Sequence, residues 1–364
     1  MAASGRTRLI VVVAVVAAVL AVAGVGAVRA GNEPSLPSIP ADRLLASTVQ
    51  ALSEQPVVIS GDAQTFVDLG LPKIPSELGG EGGVIAMVNG TQRYRVWHSA
   101  DGVRVAHVSQ LSERDLVVNR DEAWWWDSSA QEAVRLRLDD VRSMLGAPPG
   151  EGAWMHEGAA AAAARADPLS ASRAAIDALA PYARVSVEGT AEVAGRSAYR
   201  LVLTPETDGT LVASVVVSVD AETRLPLRFE VVSRSTGAVA LSAGFVSVSF
   251  DAIDPAVFTF SPPEGAEVID AAGAAGTGDA GARADDDGAA DDGSQATPLV
   301  FGSGFDARAA LPLDAQLPVE LDQLLPYAGP LVSAAIVSAG DGDRWLLVGS
   351  VPLEVLQGDV SRLP

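Results

Sequence analysis

The spacing of apolar residues separates stretches with a helical period from stretches with a strand period. Residues 41–54 place Leu44, Leu45, Val49 and Leu52 on one stripe, with Asp42 in the first turn. This pattern predicts a helix that ends before Pro56. A second helical pattern covers residues 168–180 and ends near Pro181.

Alternation of apolar and polar residues predicts two series of strands. They lie at residues 84–88, 94–97, 102–108, 114–118, 122–127 and 133–138, and at residues 185–193, 198–204, 212–219, 227–233 and 239–250. Asn89-Gly90 predicts a tight hairpin turn, and residues 254–258 predict a short helical turn. Because no strand–helix–strand rhythm occurs, we expect a mainly β (α+β) fold. Its centre is one curved, open antiparallel half-barrel of about ten strands, with the helices as a lid.

The N-terminal stretch indicates export. An uncharged run of 20 residues, 9–28, lies between Arg6, Arg8 and Arg29. A helix of this length spans roughly 30 Å, the thickness of the hydrocarbon core of a bilayer. Residues 1–30 are therefore a signal anchor or, if cleaved after Ala30, a signal peptide. We expect a single-pass cell-membrane protein with an extracytoplasmic C-terminal part, or a secreted or periplasmic protein if cleavage occurs.

Composition divides the exported part further. Residues 31–40 form a tether rich in Pro and Ser, and residues 41–268 form the main body. An acidic linker at 269–297 precedes a small C-terminal α+β unit at 298–358. In that unit we expect strands near 299–305, 333–338 and 345–349, a helix near 319–325 and a helical turn at 352–356.

Charge and residue usage exclude several functions. The chain has 25 Lys and Arg against 46 Asp and Glu, a formal net charge of −21, which disfavours nucleic acid as a partner. It has no cysteine, so it cannot carry a cysteine-linked lipid or a thiolate metal site. His98 and His107 could meet across a hairpin, but no third metal ligand is recognisable. No G-x-S-x-G motif occurs, and we predict no enzymatic activity and no cofactor.

Trp124-Trp125-Trp126 is the most unusual local feature of the sequence. In a strand, Trp124 and Trp126 share one face and Trp125 takes the other. The pair could fill the core or line a hydrophobic cavity, and the sequence leaves both interpretations open. A large sheet with few helices leaves apolar volume in which an acyl chain could bind, at about 0.8 kcal/mol per buried CH₂.

Two motifs carry a family resemblance. Residues 189–203 read GTAEVAGRSAYRLVL, and residues 217–228 read VSVDAETRLPLR. This pattern resembles the LolA-like and RseB-like superfamily of bacterial lipoprotein-carrier proteins. Residues 94–97, 68–72 and 348–352 resemble its branch in high-GC Gram-positive bacteria. The resemblance implies an open antiparallel barrel with a helical lid over a hydrophobic cavity for acyl chains.

Alternate strand positions give the candidate residues of that cavity: Tyr94, Val96, Trp124, Trp126, Leu136, Leu201, Leu203, Val217, Leu227 and Phe229. The first hypothesis is a non-enzymatic carrier whose partners are acyl chains of lipids or lipoproteins. The second is an RseB-like envelope-stress sensor that binds an anti-sigma factor or another membrane partner. The third is a structural envelope protein with a filled core. The oligomeric state is open, and a monomer is expected.

Overall fold

The computed structural model describes residues 34–53, 57–68, 70, 90–108, 112–137, 168–270, 299–313, 325–340 and 342–364. The predicted membrane segment, residues 84–88 with Asn89, most of the acidic linker and most of the helix expected near 319–325 lie outside these residues. Within the described part, no helix is both long and apolar enough to cross a bilayer.

A sheet of twelve strands forms the main body, in the order β12-β6-β5-β4-β3-β2-β1-β11-β10-β9-β8-β7. Every neighbouring pair is antiparallel except β12 and β6, which are parallel. The sheet is open, with β7 and β12 at its two edges. Its strands are β1 (Ile59–Val67), β2 (Gly90–Ser99), β3 (Gly102–Val108), β4 (Glu113–Asn119), β5 (Glu122–Asp127), β6 (Glu132–Arg137), β7 (Ala183–Val193), β8 (Arg196–Pro205), β9 (Val212–Asp220), β10 (Pro226–Ser233), β11 (Val239–Phe245) and β12 (Glu267–Asp270).

Two helices pack against one face of this sheet, here called the helix-side face. Helix α1 (Ala41–Ser53) contacts β7 and β8, and helix α2 (Pro168–Leu179) contacts β10 and β11. Leu44 of α1 and Ile176 of α2 join one apolar core with strand residues of β8 to β11. Apolar side chains at helical spacing thus meet apolar side chains at strand spacing, as the sequence pattern requires.

The opposite face, here called the outer face, is covered over β3 to β6 by residues 251–266, here called the strap. Its 3-10 turn at Pro255–Phe258 begins with Asp254, whose side chain accepts a hydrogen bond from the Ala256 amide. The Phe258 carbonyl accepts a hydrogen bond from Asn119 Nδ2 at 3.2 Å. The strap ends in β12, which adds to the edge of the sheet beside β6.

A second, five-stranded sheet follows, in the order β13-β14-β17-β16-β15. Its elements are β13 (Leu299–Phe301), β14 (Arg308–Pro312), β15 (Tyr327–Ala328), β16 (Ser333–Ala339), β17 (Asp343–Gly349) and helix α3 (Leu353–Gly358). This C-terminal unit shares a core with the main body, because Phe305 and Leu331 are buried in the cluster that contains Leu44 and Phe229. The Ser350 carbonyl also accepts hydrogen bonds from the Leu211 amide and the Thr210 hydroxyl.

The described fold confirms the mainly β prediction with a large antiparallel sheet, but the sheet has twelve strands instead of about ten. Strand β11 also ends at Phe245, earlier than the predicted residue 250. The segment that follows β11 packs closely on β1, because a Cβ at Gly61 would lie 2.0 Å from the Ser247 carbonyl oxygen. Only a glycine permits this close approach, after which a single bridge joins Ser60 and Ser249.

Candidate functional site

Eight of the ten predicted cavity residues occupy the helix-side face. Strand register establishes this, because directly paired residues share a face. Leu201 pairs with Val217 and Val217 with Phe229. The eight residues are Tyr94, Val96, Leu136, Leu201, Leu203, Val217, Leu227 and Phe229.

Four of these eight lie beneath the helices. Leu201, Leu203, Val217 and Phe229 are buried in the core that includes Leu44 of α1 and Ile176 of α2. This half of the helix-side face is core packing between sheet and helices.

The β2 to β6 half of the same face is less completely covered. One row of paired residues crosses it from Val96 through Val105 and Leu116 to Trp125. Together with the neighbouring row it forms what we call the apolar patch: Val96, Val103, Val105, Leu116, Val118, Trp125, Val134 and Leu136. Val103, Val118, Trp125 and Leu136 are only half-buried, whereas Val96 and Val105 are fully buried. Leu116 and Val134 are buried as well, so Val103, Val118, Trp125 and Leu136 form the partly exposed part of the apolar patch.

A row of polar side chains, here called the polar row, borders the apolar patch. Tyr94 pairs with His107, His107 with Arg114, and Arg114 with Asp127. The rings of Tyr94 and His107 lie 5.1 Å apart between centroids. Arg114 Nε donates to Asp127 Oδ2 at 2.7 Å, so the guanidinium charge is neutralised within the row. The row gives the apolar patch one polar end with little net charge.

Burial sets the protonation of the polar row. It raises the pKa of Tyr94 above its ordinary value, against smaller opposing effects of the Thr65 hydrogen bond and the Arg114 charge. Burial, together with the positive charge of Arg114, lowers the pKa of His107 below 6.5. His107 is therefore neutral at pH 7, and its Nε2 lies 3.1 Å from Gln92 Oε1.

The structure separates Trp124 and Trp126 from the other eight predicted residues. Both lie on the outer face, where they contact Phe260 of the strap with ring centroids at 5.4 and 6.2 Å. Trp124 Nε1 donates to Glu122 Oε1 at 2.8 Å. The indole on the helix-side face is Trp125, which the sequence-based list of cavity residues omits. The alternation within Trp124-Trp125-Trp126 was predictable, but the side of the sheet that α1 and α2 cover was not.

The two strand histidines do not meet. His98 pairs with Val103 and approaches the Val57 carbonyl with its Nδ1 at 3.2 Å, while His107 lies in the polar row. Among the described residues, no cluster of three His, Asp or Glu side chains could hold a metal ion. The outer face also has a shallow cleft of about 210 Å³ lined by Ser60, Gly61, Asp62, Arg95 and Trp97.

The family-like motifs build turns. Ala194-Gly195 connects β7 to β8 with φ values of 53° and 76°, which is hairpin geometry. Buried Asp220 accepts hydrogen bonds from the Thr223 amide at 2.7 Å and the Thr223 hydroxyl at 2.9 Å. It also accepts from Arg196 Nε at 2.5 Å. These residues hold the β8–β9–β10 strands in register, and Pro226 begins β10.

No protein-family model matches the chain, and no curated protein matches it. Solved structures do match. The MucA/MucB complex of Pseudomonas aeruginosa is 13% identical over 87% of this chain and 96% of that chain, with a TM-score of 0.46. A LolA superfamily protein from Nitrosomonas europaea is 12% identical over 61% of this chain and 99% of that chain, with a TM-score of 0.23. An outer membrane lipoprotein-sorting protein domain from Vibrio parahaemolyticus is 11% identical over 60% of this chain and 97% of that chain, with a TM-score of 0.24. The Nitrosomonas europaea protein bears the name of the LolA superfamily, which the sequence motifs resemble.

Proposed function

We propose that this protein is a non-enzymatic, extracytoplasmic carrier that binds the acyl chain of a lipid or lipoprotein on the apolar patch. The observation that carries the proposal is the combination of a half-buried apolar surface with a polar row at one end. An acyl chain has the same division into a long apolar part and a short polar end. The proposed location is the extracytoplasmic side of the cell membrane, with residues 9–28 as an uncleaved anchor.

The energetics favour a chain over a small polar ligand. Ten methylenes buried on the patch would contribute about 8 kcal/mol, before the cost of ordering the chain. The dissociation constant is weaker than the value near 1 μM that about 8 kcal/mol alone would give, because that cost is subtracted. Arg114 is already paired with Asp127, so the polar row suits an uncharged or zwitterionic head better than a free anion.

Two matched tryptophan variants test the proposal. Trp125→Ala removes an indole from the apolar patch, and Trp126→Ala removes one from the outer face. Loss of one buried aromatic side chain at the ligand is expected to weaken the binding of a fluorescent fatty acid about tenfold or more. Trp126→Ala is expected to leave the dissociation constant unchanged while lowering the stability of the fold.

Native mass spectrometry of the membrane-extracted chain provides the second readout. We expect the wild-type protein to carry the added mass of a bound lipid, and a smaller fraction of the Trp125→Ala variant to carry it. If no lipid is retained and the fatty-acid probe does not bind, the protein is not a carrier, and a structural role for its filled core takes precedence.

A partner-binding role is the second candidate, and one observation favours it. The C-terminal sheet is joined to the main body through a shared core and through the bond from Ser233 Oγ to the Pro330 carbonyl at 2.7 Å. A change in the large sheet could therefore reach a second surface and alter the binding of a membrane protein such as an anti-sigma factor. Co-purification of a membrane protein that is lost when lipid is added would support this role.

A further inference from the structure

We propose that α1 and the tether residues that precede it form the side of the fold that faces the membrane surface. The proposal rests on the uncleaved anchor proposed above. Its first support is that residues 34–40 are part of the folded body and not a free spacer. Leu36 and Ile39 pack against the main core.

Hydrogen bonds fix this segment to two strands at one edge of the large sheet. Thr190 Oγ1 of β7 donates to the Pro34 carbonyl at 2.7 Å. Tyr199 Oη of β8 donates to the Pro37 carbonyl at 3.0 Å. The Leu44 amide of α1 donates to the Pro40 carbonyl at 3.0 Å. The chain is thus anchored to the fold from Pro34 onward.

The remaining link to the membrane is short. Six residue steps separate Val28, at the end of the predicted span, from Pro34. Even a fully extended chain covers only about 20 Å in six steps. The β5–β6 turn lies nine strand spacings from β7, roughly 43 Å along the sheet at about 4.8 Å per strand. The tether therefore keeps the β7 edge within about 20 Å of the bilayer, and it sets no such limit on the β5–β6 turn.

The exposed side of α1 has the chemistry that such a position requires. Beyond Asp42 and Arg43 the helix carries no charged residue through Ser53, and Ala46, Val49 and Gln50 are exposed. Val49 is 40% exposed, although the helical stripe predicted it to be buried. Removing Arg6, Arg8 and Arg29 from the formal net charge of −21 leaves −24 on the exported part. After the first turn, which holds exposed Asp42 and Arg43, this face of α1 has no carboxylate that anionic lipid headgroups would repel.

The absence of cysteine makes the test direct, because a single introduced cysteine is labelled uniquely. Ser38→Cys in the tether and Ala46→Cys on α1 report the proposed membrane side. Ala130→Cys in the β5–β6 turn is the matched control, and all three positions are exposed. Each full-length variant is labelled with a fluorophore and reconstituted into vesicles of phosphatidylethanolamine and phosphatidylglycerol that contain a headgroup-nitroxide lipid.

We expect the nitroxide lipid to quench the labels at positions 38 and 46 several-fold more strongly than the label at position 130. Equal quenching at the three positions would overturn the proposal. The intact mass of the protein from its native membrane is the companion measurement, and a mature chain that begins at Gly31 would also overturn it. Neither result affects fatty-acid binding by the apolar patch, so failure here is distinguishable from failure of the carrier function.

Discussion

At the residue scale, the sequence motif around Asp220 is explained by the bonds that a buried carboxylate needs. Asp220 is 1% exposed and receives bonds from Arg196, Glu222 and Thr223. Burial alone would raise its pKa, but the bonds from Arg196, Thr223 and Glu222 lower the pKa overall. The carboxylate thus stays charged and organises the turn between β9 and β10.

Asp220→Ala should therefore be strongly destabilising. The substitution leaves Arg196 without its buried partner and several turn amides without an acceptor, at a cost of about 3 kcal/mol in the free energy of unfolding. Glu222→Ala is the control, because the Glu222 side chain is 83% exposed and contacts the same arginine. Its expected cost is below about 1 kcal/mol. Similar losses for both variants in urea denaturation would contradict this account of the motif.

His107 gives the polar row a dependence on pH. Its pKa in the folded protein lies below the ordinary 6.5. Between these two values the unfolded chain binds a proton that the folded protein does not bind. The free energy of unfolding should consequently fall as the pH falls from 6.5 toward the lowered pKa. The His107→Gln variant should lack this component, and identical pH profiles for the two proteins would refute it.

The sequence predicts that the three tryptophans alternate between faces, but it does not predict which face each one occupies. Alternation within Trp124-Trp125-Trp126 was readable because side chains on a strand alternate by geometry. The face that Trp124 and Trp126 occupy depends on Phe260, which lies more than a hundred residues after them in the sequence. It also depends on helices α1 and α2, whose contacts with the sheet are not local. No pattern within the strand itself contains that information.

At the scale of elements, helices α1 and α2, most strands and the helical turn of the strap follow from the sequence, while the rest of the strap and β12 do not. The strap lacks a regular period, and β12 is a four-residue strand that pairs in parallel with β6. Its position depends on a crossover and on contacts with the outer face. The predicted strands omit two members of the twelve-stranded sheet, the short β12 and the nine-residue β1.

Phe258 should hold the strap on the sheet. It is 2% exposed and lies against β3, where a Cβ at Gly102 would approach its ring at 3.2 Å. Phe258→Ala is expected to lower the free energy of unfolding by about 3 kcal/mol. Thr259→Ala, at an exposed neighbouring position, should change it by less than about 0.5 kcal/mol. Fatty-acid affinity measured under folding conditions should be the same in both variants, because the strap covers the face opposite the apolar patch.

At the scale of the whole molecule, the two sheets are expected to behave as one cooperative body. The sequence predicts a small C-terminal unit after an acidic linker. Phe305 and Leu331 of this unit are buried in the core of the main body, and Val348 of β17 shares a core with Val67 of β1. Linker composition cannot reveal such contacts, since they depend on residues on both sides of the linker.

Phe305→Ala tests this shared core. Truncation of the 3% exposed ring should cost about 3 kcal/mol and lower hydrogen-exchange protection equally in β9 and β17. Val300→Ala, at a 74% exposed position of the same unit, should have no measurable effect. Loss of protection confined to β17 would show that the two sheets unfold independently.

The central claim is that an acyl chain binds on the apolar patch of the helix-side face. Photocrosslinking with a fatty acid that carries a diazirine near its chain end, followed by peptide mass spectrometry, tests this most directly. We predict adducts on the half-buried patch residues Val103, Val118, Trp125 and Leu136, and their loss when excess unlabelled fatty acid competes. Adducts confined to Trp124, Trp126 and Phe260 on the outer face, or adducts that competition does not reduce, would contradict the claim.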